Sequence, residues 1–89
     1  MRVQNMQNSN GNTIANQFEI FDDKGKWFQS YSSMIAFRPY GDGKIQLDES
    51  KWDYSRTTGK YRNQFLGETI EETRAKIKSG EYKLTNLNA

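Results

Sequence analysis

Cysteine and histidine are both absent from this chain of 89 residues. Without cysteine, neither disulfide bonds nor a cysteine-ligated zinc site can form, and the absence is typical of a reducing compartment. Without histidine, the chain lacks the commonest general base and the commonest metal ligand. We therefore expect no metal site and no cofactor, and we expect that the protein is not an enzyme.

The chain also has little apolar sequence and little net charge. Hydrophobic residues make up 34% of it, and no apolar run approaches the roughly 20 residues that cross a bilayer. No signal peptide is visible, so we expect a cytoplasmic protein that has no membrane contact. The net charge of +2 is weak support for a polyanionic partner. Aromatic residues, at 13%, must supply much of the small core.

The first thirteen residues, Met1–Thr13, are rich in asparagine and glutamine. They carry too little apolar surface to offset the entropy lost on ordering, so they predict a flexible polar tail. Ordered structure should begin near Ile14. We therefore expect a tail over residues 1–13 and a single domain over residues 14–89.

Alternating apolar and polar residues predict an antiparallel meander after the tail. The predicted strands are, in chain order, Gln17–Phe21, Trp27–Tyr31, Met34–Arg38 and Lys44–Leu47. Asp22–Lys26 has the composition of a hairpin turn, with Gly25 suited to a left-handed backbone. A helical turn that begins at Ser33 is an alternative to the third strand, because serine caps helices and methionine and alanine favour them.

Two helices are predicted in the C-terminal half. The first spans about Thr57–Leu66, and the second begins with the capping box of Thr69 and Glu72 and ends near Gly80. A final strand, Tyr82–Thr85, could close the sheet. The fold class is therefore α+β, with an antiparallel sheet of four to five strands, two short helices in the C-terminal half and a last strand.

The densest basic and hydroxyl-rich stretch is Trp52–Gly67. Hydroxyl groups and free amides at the start of a helix donate hydrogen bonds to anions, and the helix dipole favours negative charge there. We predict a site for nucleic acid or a nucleotide phosphate, formed by Ser55, Arg56, Thr57, Thr58, Lys60, Arg62 and Asn63. The alternative is a solvated basic helix face, with Trp52, Tyr54 and Tyr61 buried beneath it.

Gly59 lies inside this predicted helix, where glycine costs about 1 kcal/mol relative to alanine. A surface helix with only a structural role has no reason to accept that cost. Close approach of another backbone or of a ligand would explain the glycine, and so would a loop that extends further than predicted.

Three segments of the chain carry a family pattern: Phe28–Ala36, Gly43–Leu47 and Trp52–Gly67, the last with Tyr-Ser-x-Thr-Thr-x-Lys at residues 54–60. In these segments the chain resembles a widespread family of small proteins and domains encoded by bacteriophages and mobile elements. Relatives often carry histidine where Tyr61 stands, so this member does not require an imidazole. The family has no established general activity. The resemblance implies a phage accessory protein in the cytoplasm of an infected bacterial host, and it supplies no catalytic residues.

Two further functions stay open. Small phage proteins often disable host factors such as restriction or CRISPR machinery, so the chain could be a protein inhibitor of a host or defence enzyme. Tryptophan and tyrosine are frequent hot-spot residues, and the interface would then include Trp27, Tyr31, Phe37 and Tyr40. These rings are equally suited to the core of the sheet, and Tyr40, in a turn, is expected to be the most exposed. A structural or self-assembling phage component is the third possibility, and the sequence leaves the oligomeric state open.

Overall fold

The computed structural model describes residues 1–89, which form six strands and two helices. The strands are β1 (Arg2–Gln7), β2 (Thr13–Phe21), β3 (Gly25–Ser30), β4 (Ser33–Pro39), β5 (Gln46–Asp48) and β6 (Lys83–Thr85). The helices are α1 (Arg56–Leu66) and α2 (Ile70–Ser79). All six strands belong to one sheet in the order β1-β2-β3-β4-β5-β6. The predicted α+β class, with two helices in the C-terminal half and a last strand, is confirmed.

The first strand corrects the prediction of a flexible tail over residues 1–13. β1 pairs with β2 in antiparallel register from Arg2 opposite Phe21 to Gln7 opposite Thr13. An irregularity at Met6 turns that side chain into the core, where it is 2% exposed. Asparagine and glutamine disfavour strands in isolation, but pairing with a long neighbouring strand overrides that preference.

The last strand pairs in a direction that the sequence left open, and it makes the sheet a mixed one. β1 to β5 form antiparallel neighbours, whereas β6 lies parallel to β5, with Leu84 opposite Leu47. Parallel neighbours need a long crossover connection. Here the connection consists of α1 and α2, which return the chain to the end of the sheet where β5 began.

The third predicted strand is confirmed, and the helical turn at Ser33 is wrong. β4 pairs with β3 along its length, with Ala36 opposite Phe28 and Met34 opposite Gln29. Ile35 is the extra residue of a β-bulge between these two pairs, and its side chain is fully buried. A bulge of this kind bends the strand and lets two successive residues point toward the core.

The core lies between one face of the sheet and the helices. Phe28, Ala36 and Leu47 form a row across β3, β4 and β5, and each is 0% exposed. Tyr61, Phe65 and Leu66 of α1 belong to the same buried cluster. The rings of Phe28 and Phe65 stack with their centroids 5.8 Å apart. Both helices therefore pack on the same face of the sheet, and the other face has no helix on it.

Both helices begin and end with the signals in the sequence. Ser55 caps α1 by accepting from the Thr58 amide at 3.1 Å, and Gly67 ends it with φ 70°. Thr69 and Glu72 form the predicted capping box at the start of α2, and Gly80 ends that helix. Neither helix is long and apolar enough to cross a membrane.

Candidate functional site

Arg62 lies in the interior of the protein, although the predicted phosphate site requires its side chain to be exposed. Its side chain is 1% exposed. Nη1 donates to the Trp52 carbonyl at 2.7 Å and to the Asp53 carboxylate at 3.0 Å, and Nη2 donates to the Asn63 side chain at 2.9 Å. The guanidinium also lies 5.2 Å from the centroid of the Trp52 ring. Arg62 therefore fastens the segment before α1 to the helix, and Asn63 serves as one of its acceptors.

Two hydroxyl groups of the predicted site are also engaged inside the protein. Thr58 is fully buried, and its hydroxyl lies 2.8 Å from that of Ser30 on β3. Ser55 donates to the Thr58 hydroxyl at 3.0 Å while it caps the helix. These groups join the start of α1 to the sheet, so Thr58 is not available to a ligand.

The remaining three residues of the predicted site, Arg56, Thr57 and Lys60, are exposed on α1. Arg56 and Lys60 are four residues apart, so they share one face of the helix. The structure thus separates the seven predicted residues into an exposed group of three and a group that stabilises the helix start: Ser55, Thr58, Arg62 and Asn63.

The charges on α1 are arranged differently from those on α2. α2 has Glu71 and Glu72 in its first turn and Lys76 and Lys78 in its last turn, as the helix dipole favours. α1 contains no acidic residue, and its cations are Arg56, Lys60 and Arg62. A cation in the first turn opposes the dipole at a cost of about 0.3–1 kcal/mol. The start of α1 is therefore a region of concentrated positive potential.

Further cations and one exposed ring extend this region. The ring of Tyr54 is 43% exposed, and the Lys51 ammonium lies 5.1 Å from its centroid. Arg74 of α2, 62% exposed, lies 3.5 Å from Asp53, a carboxylate that already binds buried Arg62. We define the basic surface by its exposed or half-exposed members: Lys51, Tyr54, Arg56, Thr57, Lys60 and Arg74.

Gly59 is buried on the inner side of α1. A Cβ atom built there would lie 3.6 Å from the Arg62 Nη2 atom and 3.7 Å from the Asp53 carboxylate, which are ordinary van der Waals distances. No backbone approaches closely enough to require glycine. The fold therefore does not explain the glycine through close packing.

The four aromatic residues proposed as a protein interface do not form one exposed cluster. Tyr31 and Tyr40 are 49% and 56% exposed, but they lie beyond opposite ends of the β3–β4 pair. Phe37 is 8% exposed, and Trp27 lies on it with ring centroids 4.3 Å apart. The expectation that Tyr40 is the most exposed of the four is confirmed.

Trp27 and Phe37 belong instead to an apolar row on the face of the sheet that has no helix. Val3, Ile20, Trp27 and Phe37 lie opposite one another across β1, β2, β3 and β4. Phe18 and Met34 flank this row. We call these six residues the open face. A groove of about 360 Å³ lies on it, and Leu87 from the C-terminal segment lines one side.

Two buried carboxylates hold the C-terminal part of the chain. Glu68 accepts from Lys76 at 2.8 Å and from Tyr82 at 2.7 Å. Burial, together with the hydrogen bond to Glu68, raises the pKa of Tyr82 to about 12. Burial alone would raise the pKa of Asp48, but hydrogen bonds from Leu87 and Ser50 outweigh it and hold that pKa below its ordinary value. These contacts are structural, and no group of acidic side chains is placed to hold a metal ion.

Sequence reasoning missed Lys51 and Arg74 as members of the basic surface, and it left Tyr54 open between a buried and an exposed position. Lys51 and Tyr54 are three residues apart, so their side chains are expected to be in contact only if the segment forms a turn, which the sequence does not establish. Arg74 lies twenty residues beyond Tyr54, and only Asp53 brings it near. The open face was missed because Val3 stands among amides in a segment that lacks a strand pattern.

Comparison with known sequences supplies a family. No curated protein and no solved structure matches the chain. One family model, described as a family of unknown function (DUF8033), matches residues 1–82. The match runs from β1 through α2, so it includes the N-terminal strand and the whole basic surface. It agrees with the uncharacterised family expected from the sequence resemblance. The chain therefore belongs to DUF8033, a family of unknown function.

Proposed function

We propose that this protein is a non-enzymatic phage accessory protein that binds single-stranded nucleic acid through the basic surface. The resemblance to phage-encoded proteins supports the phage origin. The arrangement of charge on α1 supports the ligand, because this helix has cations at its start and no acidic residue. Arg56, the exposed cation in the first turn, opposes the helix dipole and has no ion pair, and local departures of this kind are typical of functional sites.

The exposed members of the surface fit the two requirements of single-strand binding. Arg56, Lys60 and Arg74 provide positive charge for the phosphates, and the partly exposed Tyr54 ring offers a face on which a base can stack. Asp53, the carboxylate among them, is already bound to two arginines. The surface therefore keeps a positive balance.

Salt dependence tests the electrostatic part of the proposal. Three phosphate contacts on a single strand give a slope of log affinity against log salt of about −2. Affinity for a labelled oligonucleotide should therefore fall roughly 20-fold between 50 and 200 mM salt. Fluorescence anisotropy measures this directly, and an affinity that is independent of salt would contradict the proposal.

A matched pair of variants tests the location. The double substitution Arg56→Ala and Lys60→Ala should weaken binding at least tenfold without lowering the melting temperature, because both side chains are exposed. The control is Lys78→Ala with Lys83→Ala, which removes the same charge from exposed positions on α2 and β6. If both double variants lose affinity equally, the oligonucleotide responds to the overall charge of the protein and does not bind at the basic surface. Tyr54→Ala should weaken single-strand binding more than duplex binding.

A second candidate function is the binding of a host or defence protein, and the open face favours it. An antiparallel sheet that has one solvated face normally carries polar residues there. Here the row from Val3 to Phe37 is apolar across four strands. Val3 is 53% exposed and Ile20 and Trp27 are half-buried, so part of this row is accessible, and accessible apolar patches mark interaction sites. Ile20→Asp should then release a protein that the wild type retains after nuclease treatment, whereas Arg56→Ala should retain it.

A further inference from the structure

We infer that two copies of this chain associate through β1, antiparallel to each other, so that their sheets join into one sheet of twelve strands. The occupant of the edge is a second copy of β1. This inference does not depend on the proposed nucleic-acid function.

The outer side of β1 is an open sheet edge. β1 is the first strand in the sheet order and has β2 on one side only. Its C-terminal end is closed, because the Gln64 side chain of α1 donates to the Gln7 carbonyl at 2.8 Å. No strand pairs with residues 2–5 on their outer side. The backbone groups that point outward there are ready to pair with another strand.

Apart from the irregularity at Met6, near its C-terminal end, this edge lacks the features that normally prevent pairing. Proteins protect edges with short strands, charged side chains or proline. β6, at the other edge, has three residues and begins with Lys83. β1 has six residues, no proline and a single charge, Arg2. The two edges of this sheet therefore differ in how strongly they resist association.

The side chains of β1 indicate that the partner is another β1. Val3, 53% exposed, is the end of the apolar row on the open face. In an antiparallel pair centred on Val3, the Val3 side chains of the two copies are opposite each other and Arg2 lies opposite Gln4. The two apolar rows then form one continuous row, and no cation faces a cation. A pair centred on Gln4 would instead place Val3 opposite Asn5.

The register centred on Val3 also places compatible polar groups opposite each other. The Gln4 side chain of one copy lies opposite Arg2 of the other, and its amide oxygen can accept a hydrogen bond from the guanidinium. The symmetric use of one surface by both copies is the commonest arrangement of homodimers.

A single introduced cysteine tests the pairing, since the chain has none of its own. Residues opposite each other in adjacent strands have Cβ atoms about 4.5–5.5 Å apart, close to the separation in a disulfide. Val3→Cys should therefore form a disulfide-linked dimer under mild oxidation. Leu84→Cys, on exposed β6, is the control and should stay monomeric. Equal cross-linking of both variants, or none in Val3→Cys, would overturn the inference.

Sedimentation of the wild-type protein provides a second measurement. An edge contact this small is at the weak end of protein interfaces, so the association should be followed over roughly 1–1,000 μM. Val3→Lys places two like charges opposite each other and should raise the dimer dissociation constant at least tenfold. Leu84→Lys should leave it unchanged. A monomer throughout this range, or a dimer unaffected by Val3→Lys, would also overturn the inference.

Discussion

Replacement of Arg62 by alanine should destabilise the protein by about 3 kcal/mol. This effect is large for a basic residue on a helix, because most such residues are exposed and their removal changes stability little. The substitution removes three hydrogen bonds, to the Trp52 carbonyl, the Asp53 carboxylate and the Asn63 side chain. Each buried acceptor left without a donor costs about 1–3 kcal/mol. Asp53 is 37% exposed, so water can rehydrate its carboxylate and reduce the loss. The Trp52 carbonyl and the space left by the arginine stem account for most of the remainder.

Thermal unfolding followed by circular dichroism gives the magnitude. A loss of 1 kcal/mol lowers the melting temperature of a domain this small by about 4–8 °C, so Arg62→Ala should lower it by roughly 12–24 °C. Arg62→Lys should fall between alanine and wild type, because an ammonium cannot reach all three acceptors of the guanidinium. Arg56→Ala, an exposed control on the same helix, should change stability by no more than about 0.5 kcal/mol.

The same experiment separates the two roles of arginine on α1. If Arg62→Ala melts within 4 °C of the wild type, that is within about 1 kcal/mol, the buried guanidinium does not hold the segment before α1 in place. If the destabilisation is confirmed, any loss of ligand binding in Arg62 variants reflects unfolding, and only the exposed cations report on contact with a ligand.

Other predictions concern pH and glycine. The folded-state pKa of Tyr82 is raised to about 12, so its contribution to stability is fully present below pH ~10 and is lost as the pH rises through 12. An ultraviolet titration should show one late-titrating tyrosine, and Tyr82→Phe should remove it. The pKa of Asp48 is lowered, so its contribution is present above pH ~4 and is lost as the pH falls through the folded-state value. Urea unfolding as a function of pH should show a smaller loss on acidification for Asp48→Asn than for wild type. Gly59→Ala should stabilise the protein by up to about 1 kcal/mol, because a Cβ there meets only ordinary contacts. Gly25→Ala should destabilise it by about 2 kcal/mol or more in the same urea assay, because the Cβ would lie 2.8 Å from the Pro39 Cα. The opposite order of these two glycine variants would contradict the packing described for β3 and α1.

Local signals in the sequence were sufficient to predict the elements whose ends are marked by capping or turn residues. The capping box at Thr69 and the stops at Gly67 and Gly80 place the helix ends correctly, because each is a contact between residues a few positions apart. The turn after Phe21 is likewise set by Asp22, whose carboxylate accepts from the Lys24 and Gly25 amides. The left-handed backbone predicted at Gly25 is wrong, because Gly25 is the first residue of β3 and has no positive φ.

Contacts between distant parts of the chain could not be predicted in this way. β1 forms because β2 provides a partner, and nothing in an asparagine-rich segment signals that pairing. The parallel direction of β6 depends on the path of both helices. For the site, a charged residue on a helix is expected to face solvent, and only the position of Asp53 and the Trp52 carbonyl shows that Arg62 lies inside. The sequence thus identified the stretch that carries most of the basic surface, but neither its members Lys51 and Arg74 nor which cations of the stretch are exposed.

The parallel pairing of β6 with β5 has a consequence for the order of folding. β1 to β4 join chain neighbours through short turns, so their contacts form at a small cost in loop entropy. Residues 49–82, which include both helices, separate β6 from β5, so pairing of β6 closes a much longer loop. The amides of β6 should therefore exchange with deuterium sooner than those of β3, and the sheet should lose its last strand before the meander opens.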